Sequence, residues 1–141
     1  MDMNVSDNSF RTLPLPSKET EAFWTGGAQA KLNILRCQSC ANYIHPPRPI
    51  CPKCFSKDVA TEAVSGHGKI VSFTINYQAW LPNMPVPFVI AIVELKEQQG
   101  LRLTTNIIDI SPDDVRIEQA VDAVFEKHED IWLPMFRPAD V

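Results

Sequence analysis

No apolar run in this 141-residue chain approaches the ~20 residues that a bilayer crossing needs. The longest, Phe88-Val89-Ile90-Ala91-Ile92-Val93, is strand-sized. The first residues, Met1-Asp2-Met3-Asn4, lack the basic stretch and apolar run of a secretory signal. A soluble, cytoplasmic protein is therefore expected. Positive charge is also scarce: the net charge is -4 and the pI about 5.3. That weighs against a partner held by phosphate charge alone. The one basic concentration, Lys31, Arg36, Arg48, Lys53 and Lys57, faces only Asp58. Histidine is limited to His45, His67 and His128, none with a Ser, Cys or carboxylate at a spacing that signals a triad. The Asp113-Asp114 pair reads as a solvated turn. Catalysis by this chain alone is not expected. Internal repeats and low-complexity tracts are absent.

Cysteine is confined to two close pairs, Cys37-Gln38-Ser39-Cys40 and Cys51-Pro52-Lys53-Cys54. A C-x-x-C turn puts two sulfurs on one side of a tetrahedral metal shell, and two such turns close it. Without an oxidising compartment the pairs read better as metal ligands than as cystine. A thioredoxin-like redox motif needs only one pair and lies beside a βαβ pattern, which is not seen here. Zinc is the expected ion and its role structural, since a closed shell leaves no position for water or substrate. Iron in a rubredoxin-type knuckle uses the same four thiolates and stays open as an alternative. His45, in the hairpin between the pairs, is a weaker candidate ligand.

The remaining pattern is mainly β. Residues 1–16 are polar and irregular and predict a flexible N-terminus. Ser17, followed by Glu19 and Glu21, predicts an N-capped helix over about 18–25, stopped by Gly26-Gly27. Residues 17–60 then make a helix and ribbon. Over 61–141, Val71, Phe73, Ile75 and Tyr77 alternate with polar residues. Phe88 to Val93 is apolar on both faces and predicts a central strand. Leu101, Leu103, Thr105 and Ile107 alternate again, and Val121, Ala123 and Phe125 share an inner face. Short strands with turn signals between them predict a small antiparallel barrel with the ribbon stacked on one end. His67, between Gly66 and Gly68, reads as a backbone position rather than a site.

Apolar residues in poorly buriable places point to a partner: Trp80 and Met84 in the Pro-rich loop, Trp132 and Phe136 near the terminus, Phe23 and Trp24 in the helix. Arg48 and Arg102 are candidates for phosphate contacts, because guanidinium matches phosphate bidentately.

The order Phe23-Trp24, Cys37–Cys40, Pro46-Pro47-Arg48, Cys51–Cys54, Ser65–Gly68, Phe73-Thr74, Pro87–Ala91 and Phe136–Ala139 resembles a known family over residues 17–139. These are small OB-fold proteins with an N-terminal rubredoxin-like zinc ribbon that accompany acyl-CoA enzymes, formerly a domain-of-unknown-function family. The resemblance implies a non-catalytic accessory subunit. Its partner would be a thiolase-fold enzyme (thiolase, acyltransferase or aldolase) or an acyl-CoA hydratase, which it supports while helping to form the acyl-CoA site. The chain departs from the family pattern at Ala41, Phe55 and Glu118, where glycine is usual, which puts local turn geometry in question. A second reading is a single-stranded nucleic-acid module, since OB-folds often stack bases on aromatic side chains in a basic groove.

Overall fold

The computed structural model describes residues 10–139. Its elements in chain order are helix α1 (Glu21–Thr25), β1 (Leu32–Cys37), β2 (Tyr43–Ile44), β3 (Val59–Val64), β4 (His67–Asn76), β5 (Phe88–Leu95), β6 (Arg102–Ile107), β7 (Ala120–His128) and β8 (Ile131–Pro138). The first three strands form one small sheet, ordered β2-β1-β3. The last five close a barrel in the order β4-β5-β6-β8-β7. All barrel pairings are antiparallel except the closing contact, where β6 meets β8 in parallel at Ile107 and Phe136.

One hydrophobic core joins the two sheets. Phe23 from α1 and Leu32 and Ile34 from β1 pack with Ile70, Val93, Leu103, Val121 and Phe136 of the barrel. The ribbon therefore plugs one end of the barrel, and Gln98 ties the two by donating to Tyr43 O and accepting from Tyr43 N. A second, smaller core under the cysteines holds Leu35, Cys37, Ile44 and Cys51.

Several local expectations change. The helix is shorter than 18–25, and Ser17 does not cap it: Thr20 holds the N-cap position without a side-chain bond. Gly26-Gly27 ends the α-helix but continues as a 3₁₀ turn over Gly26–Gln29. Gly27 is needed for close packing, since a Cβ there would lie 2.5 Å from the Cβ of Trp132. A β-bulge between Ile70 and Ser72 breaks the alternation, so Ile70 is buried and Tyr77, beyond the strand end, is exposed. In β5 the outward Ile90 and Ile92 are not covered by this chain, so the strand is central in pairing but not buried on both faces. Of the N-terminal 1–16, residues 1–9 lie outside the described residues. Arg11 is docked on the barrel rather than loose, its Nε lying 2.8 Å from Glu126 Oε1.

Two of the partner-facing candidates are core residues instead. Phe136 is 0% exposed because the backbone around it closes the barrel: Ile108 N donates to Phe136 O at 2.8 Å. Phe23 is buried between α1 and β1, its ring 4.8 Å from that of Trp24 and 4.9 Å from His45.

Candidate metal centre and apolar groove

Two matching turns build the cysteine cluster. In the first, Cys37 N donates to Asn42 O, Ala41 N donates to Cys37 O at 3.0 Å, and Cys40 N points at Cys37 Sγ. In the second, Cys51 N donates to Ser56 O, Phe55 N donates to Cys51 O at 2.8 Å, and Lys53 N points at Cys51 Sγ. The residue after each pair takes a left-handed backbone, φ +67° at Ala41 and +66° at Phe55. Glu118, the third departure from glycine, does the same at +71°. The turn geometry that glycine would favour is thus kept by other side chains.

All four Sγ atoms lie within 4.8 Å of one another. The Cys37–Cys54 and Cys40–Cys51 sulfurs are 3.5 and 3.7 Å apart. A tetrahedral ion with metal–sulfur bonds of about 2.3 Å requires sulfur–sulfur edges near ~3.8 Å. The donor set fits such a cation, and Cys37, Cys40, Cys51 and Cys54 would hold it. Its chemistry there is structural: it would tie the two turns together with every position taken by sulfur. Nearby N–H groups already favour thiolate. Backbone donation at Cys40 lowers the Cys37 thiol. At Cys51, desolvation works upward, but donation from Cys54 and Lys53 outweighs it and brings the thiol to about 6. At Cys54, donation at Ser56 works downward, yet contact with the Cys37 thiol and its neighbours drives it up to about 12. Four sulfurs this close share negative charge poorly, which is the condition a cation relieves.

His45 is not among the ligands. It stacks on Phe23, its Nδ1 is buried without a partner, and burial lowers its pKa. The other histidines have carboxylate partners, distant in sequence for His67 and two residues away for His128. Antiparallel register sets His67 opposite Asp122, with Nδ1 2.6 Å from Oδ1. His128 Nε2 lies 2.7 Å from Glu126 Oε1, both side chains buried.

A groove of about 800 Å³ opens beside the barrel. Its walls are residues 10–14, the helix aromatics Phe23 and Trp24, the loop residues Leu81, Met84 and Pro85, and the edges of β6 and β8. Apolar side chains dominate, with Arg11, Thr104, Asn106 and Glu126 as polar points. Among the sequence candidates, Phe23, Trp24 and Met84 line it. Trp80 stands nearby in the same loop, 70% exposed, its Nε1 donating to Asn76 Oδ1. Trp132 is half-buried over Gly27, with Lys127 Nζ 5.7 Å from its ring centroid. Neither Arg48 nor Arg102 borders the groove: Arg48 is on the exposed ribbon, and Arg102 pairs with Glu94 at 3.1 Å. Among the described residues, no helix is long and apolar enough to cross a membrane.

Two family models match consecutive parts of the chain: the rubredoxin-like zinc ribbon domain of ChsH2 over residues 24–60 and its C-terminal OB-fold domain over 61–126. A probable enoyl-CoA hydratase alpha subunit of Thermomonospora curvata is 40% identical over 120 residues, covering 84% of this chain. This chain spans only 37% of that relative's length. A DUF35 domain-containing scaffold protein of Methanothermobacter thermautotrophicus is 40% identical, with 65% of this chain and 69% of the relative covered. Among solved structures, the Ltp2-ChsH2(DUF35) aldolase superposes with a TM-score of 0.82 at 34% identity, covering 91% of this chain and 100% of that one. The cysteine-ribbon and barrel halves, the match of both models in order, and these relatives together place the chain in the ChsH2/DUF35 family of ribbon-plus-OB-fold proteins.

Proposed function

We propose that this chain is a non-catalytic accessory subunit of an acyl-CoA enzyme. Its partner is a thiolase-fold enzyme (thiolase, acyltransferase or aldolase) or an acyl-CoA hydratase. The chain stabilises that enzyme and supplies part of the surface that receives the acyl-CoA. The observation that carries this reading is an apolar groove walled by the helix and the barrel, in a chain whose four-sulfur cluster lies elsewhere and leaves no position for substrate. Relatives named as a hydratase alpha subunit, a scaffold protein and an aldolase assembly point the same way.

The metal is zinc on this reading, because four thiolates at tetrahedral spacing suit a borderline-soft ion without redox demands. Unbridged thiols in such a cluster fit a reducing, cytoplasmic compartment. On this reading the chain divides functionally into a helix and ribbon over 17–60 and an OB-fold part over 61–141, the boundary falling within β3, which pairs with β1 of the ribbon sheet. A partner surface is supported by residues 70–93, which carry no Asp, Glu, Lys, Arg or His and expose Trp80, Leu81, Ile90 and Ile92. Of the two arginines offered for the CoA phosphates, Arg48 is the better supported, since Arg102 is already engaged by Glu94.

The test is co-expression of the tagged chain with a thiolase-fold enzyme and, separately, with an acyl-CoA hydratase. Co-elution with one of them, and loss of that enzyme's turnover when the chain is omitted, is expected. Acyl-CoA turnover by this chain alone would overturn the proposal. So would salt-sensitive retention of single-stranded oligonucleotide with neither enzyme bound.

A further inference from the structure

Cysteines aside, Glu126 and His128 are the two buried polar or charged residues among the described residues. Both lie on β7, where both strand faces are covered: Phe125 packs against Gly27, while Glu126 lines the groove. Glu126 Oε1 receives two groups. His128 Nε2 approaches at 2.7 Å and Arg11 Nε at 2.8 Å, the latter as an ion pair not aligned as a hydrogen bond. A carboxylate only accepts, so the His128 proton resides on Nε2. Arg11 also donates from its NH1 nitrogen to Asn106 Oδ1 at 3.3 Å. The Asn106 amide is itself oriented by donation from Nδ2 to Val89 O at 2.8 Å. Two barrel side chains thus hold one arginine that precedes the helix, and His128 braces one of them.

Beyond the partial burial of Phe10, Leu13 and Pro14, residues 10–16 have few other contacts to hold them. No backbone hydrogen bond joins them to the barrel among the described residues, and Arg11 makes all their side-chain polar contacts with it. Yet Phe10, Arg11, Thr12, Leu13 and Pro14 form one wall of the groove. A wall held by a single charged anchor, next to a cavity lined by apolar groups, is able to leave as a unit. Local opening is drawn from segments with few backbone bonds and few buried contacts.

We propose that residues 10–14 are a hinged wall of the groove, latched by Arg11 to Glu126 and Asn106 with His128 bracing Glu126, and, resting on the acyl-CoA reading above, that the latch sets how tightly the groove holds the acyl chain. Opening it exposes the groove edge formed by Thr104, Thr105 and Asn106. Closing it brings Phe10, Leu13 and Pro14 against the acyl chain.

The test uses the full-length, metal-loaded chain with Arg11→Ala, Arg11→Lys and Glu126→Gln. Chymotryptic cleavage after Phe10 reads the wall, and the fluorescence of anilinonaphthalene sulfonate reads the groove. Arg11→Ala should speed that cleavage by about tenfold, the factor set by losing a charge-assisted contact. Sites in strands β4 to β8 should be cleaved no faster, and the dye should bind several-fold more weakly (~3-fold or more), since one apolar wall is gone. Arg11→Lys should recover part of both effects, and Glu126→Gln should loosen the same residues from the other side. Unchanged cleavage in Arg11→Ala overturns the latch, as does equal acceleration throughout the barrel, which would mark a merely structural contact. Unchanged dye affinity overturns the wall. Both readouts need only the isolated chain, so failure of the partner assay leaves them standing.

Discussion

Replacing Phe55 with glycine should stabilise the ribbon. Phe55 sits at φ +66°, in the left-handed region. There an L side chain crowds the following carbonyl, at a cost of about 1–2 kcal/mol. Glycine escapes that clash but loses more backbone freedom on folding, worth about 0.5–1 kcal/mol. The difference favours glycine by roughly 0.5–1 kcal/mol. Little is lost with the ring, because Phe55 is 76% exposed and belongs to neither hydrophobic cluster. The turn keeps its bond to Cys51 O, since glycine retains the N–H. Ala41 is the internal replicate: it stands at φ +67° in the other turn, with only a methyl group to lose.

The assay is the rate of metal transfer from the native protein to a chromophoric chelator, read beside the thermal midpoint. Ala41→Gly and Phe55→Gly should each slow release about 2- to 5-fold. Each should raise the midpoint by roughly 1–4 °C. Glu118→Gly is the control, at φ +71° but with Oε1 3.3 Å from Lys69 Nζ. Loss of that exposed pair, worth about 0–1 kcal/mol, should cancel most of the gain. Faster release and lower midpoints in both ribbon variants would refute the reasoning, because glycine's entropy would then outweigh the left-handed strain.

Cys37→Ala removes one of four sulfurs that converge within 4.8 Å, so bound metal should fall well below one per chain and amide protection in β1 and β2 should collapse. Elemental analysis and exchange check this; unchanged metal content with unchanged melting would contradict it. His45 gives a pH dependence. Burial lowers its pKa, so the unfolded chain binds the proton more readily. Stability should therefore be full above the ordinary histidine value of about 6.5 and be lost as pH falls through it towards the lower folded value. Glu62 and Glu94 are held below the ordinary glutamate range by Arg36 and Arg102, so they titrate beneath this window. Urea midpoints at about pH 7.5 and about pH 5.5 should converge in His45→Phe, which retains a ring against Phe23. Parallel losses in both proteins would exclude His45 as the cause.

What could be read from the sequence separates by the distance over which each feature is decided. The cysteine pairs were legible because a C-x-x-C turn sets its own sulfur geometry within four residues. Period-two alternation revealed β6 for the same reason, and resemblance marked Ala41, Phe55 and Glu118 as places where backbone, not side chain, was the issue. The bulge at Ile70–Ser72 was hidden, since one inserted residue reverses faces without altering composition. Phe136 and Trp132 look alike in a terminal apolar run, and only barrel closure decides that one is core and the other half-exposed. Gly26-Gly27 reads as a stop, although what requires Gly27 is Trp132, more than a hundred residues away.

The groove belongs wholly to this second kind. Its walls come from the segment before the helix, the loop between β4 and β5, and the edges of β6 and β8. Its polar anchor joins Arg11 to Glu126. Nothing near Arg11 distinguishes it from a solvated charge, and nothing near Glu126 says that the glutamate is buried. Each acquires meaning only when β7 delivers one to the other. The metal cluster, by contrast, is local and holds only the ribbon that plugs the barrel end. A substitution that leaves every recognisable motif intact can therefore still abolish the groove. Conversely, a relative lacking the cysteines can keep the groove, provided the residues matching Leu32 and Ile34 hold β1 against the barrel by packing alone.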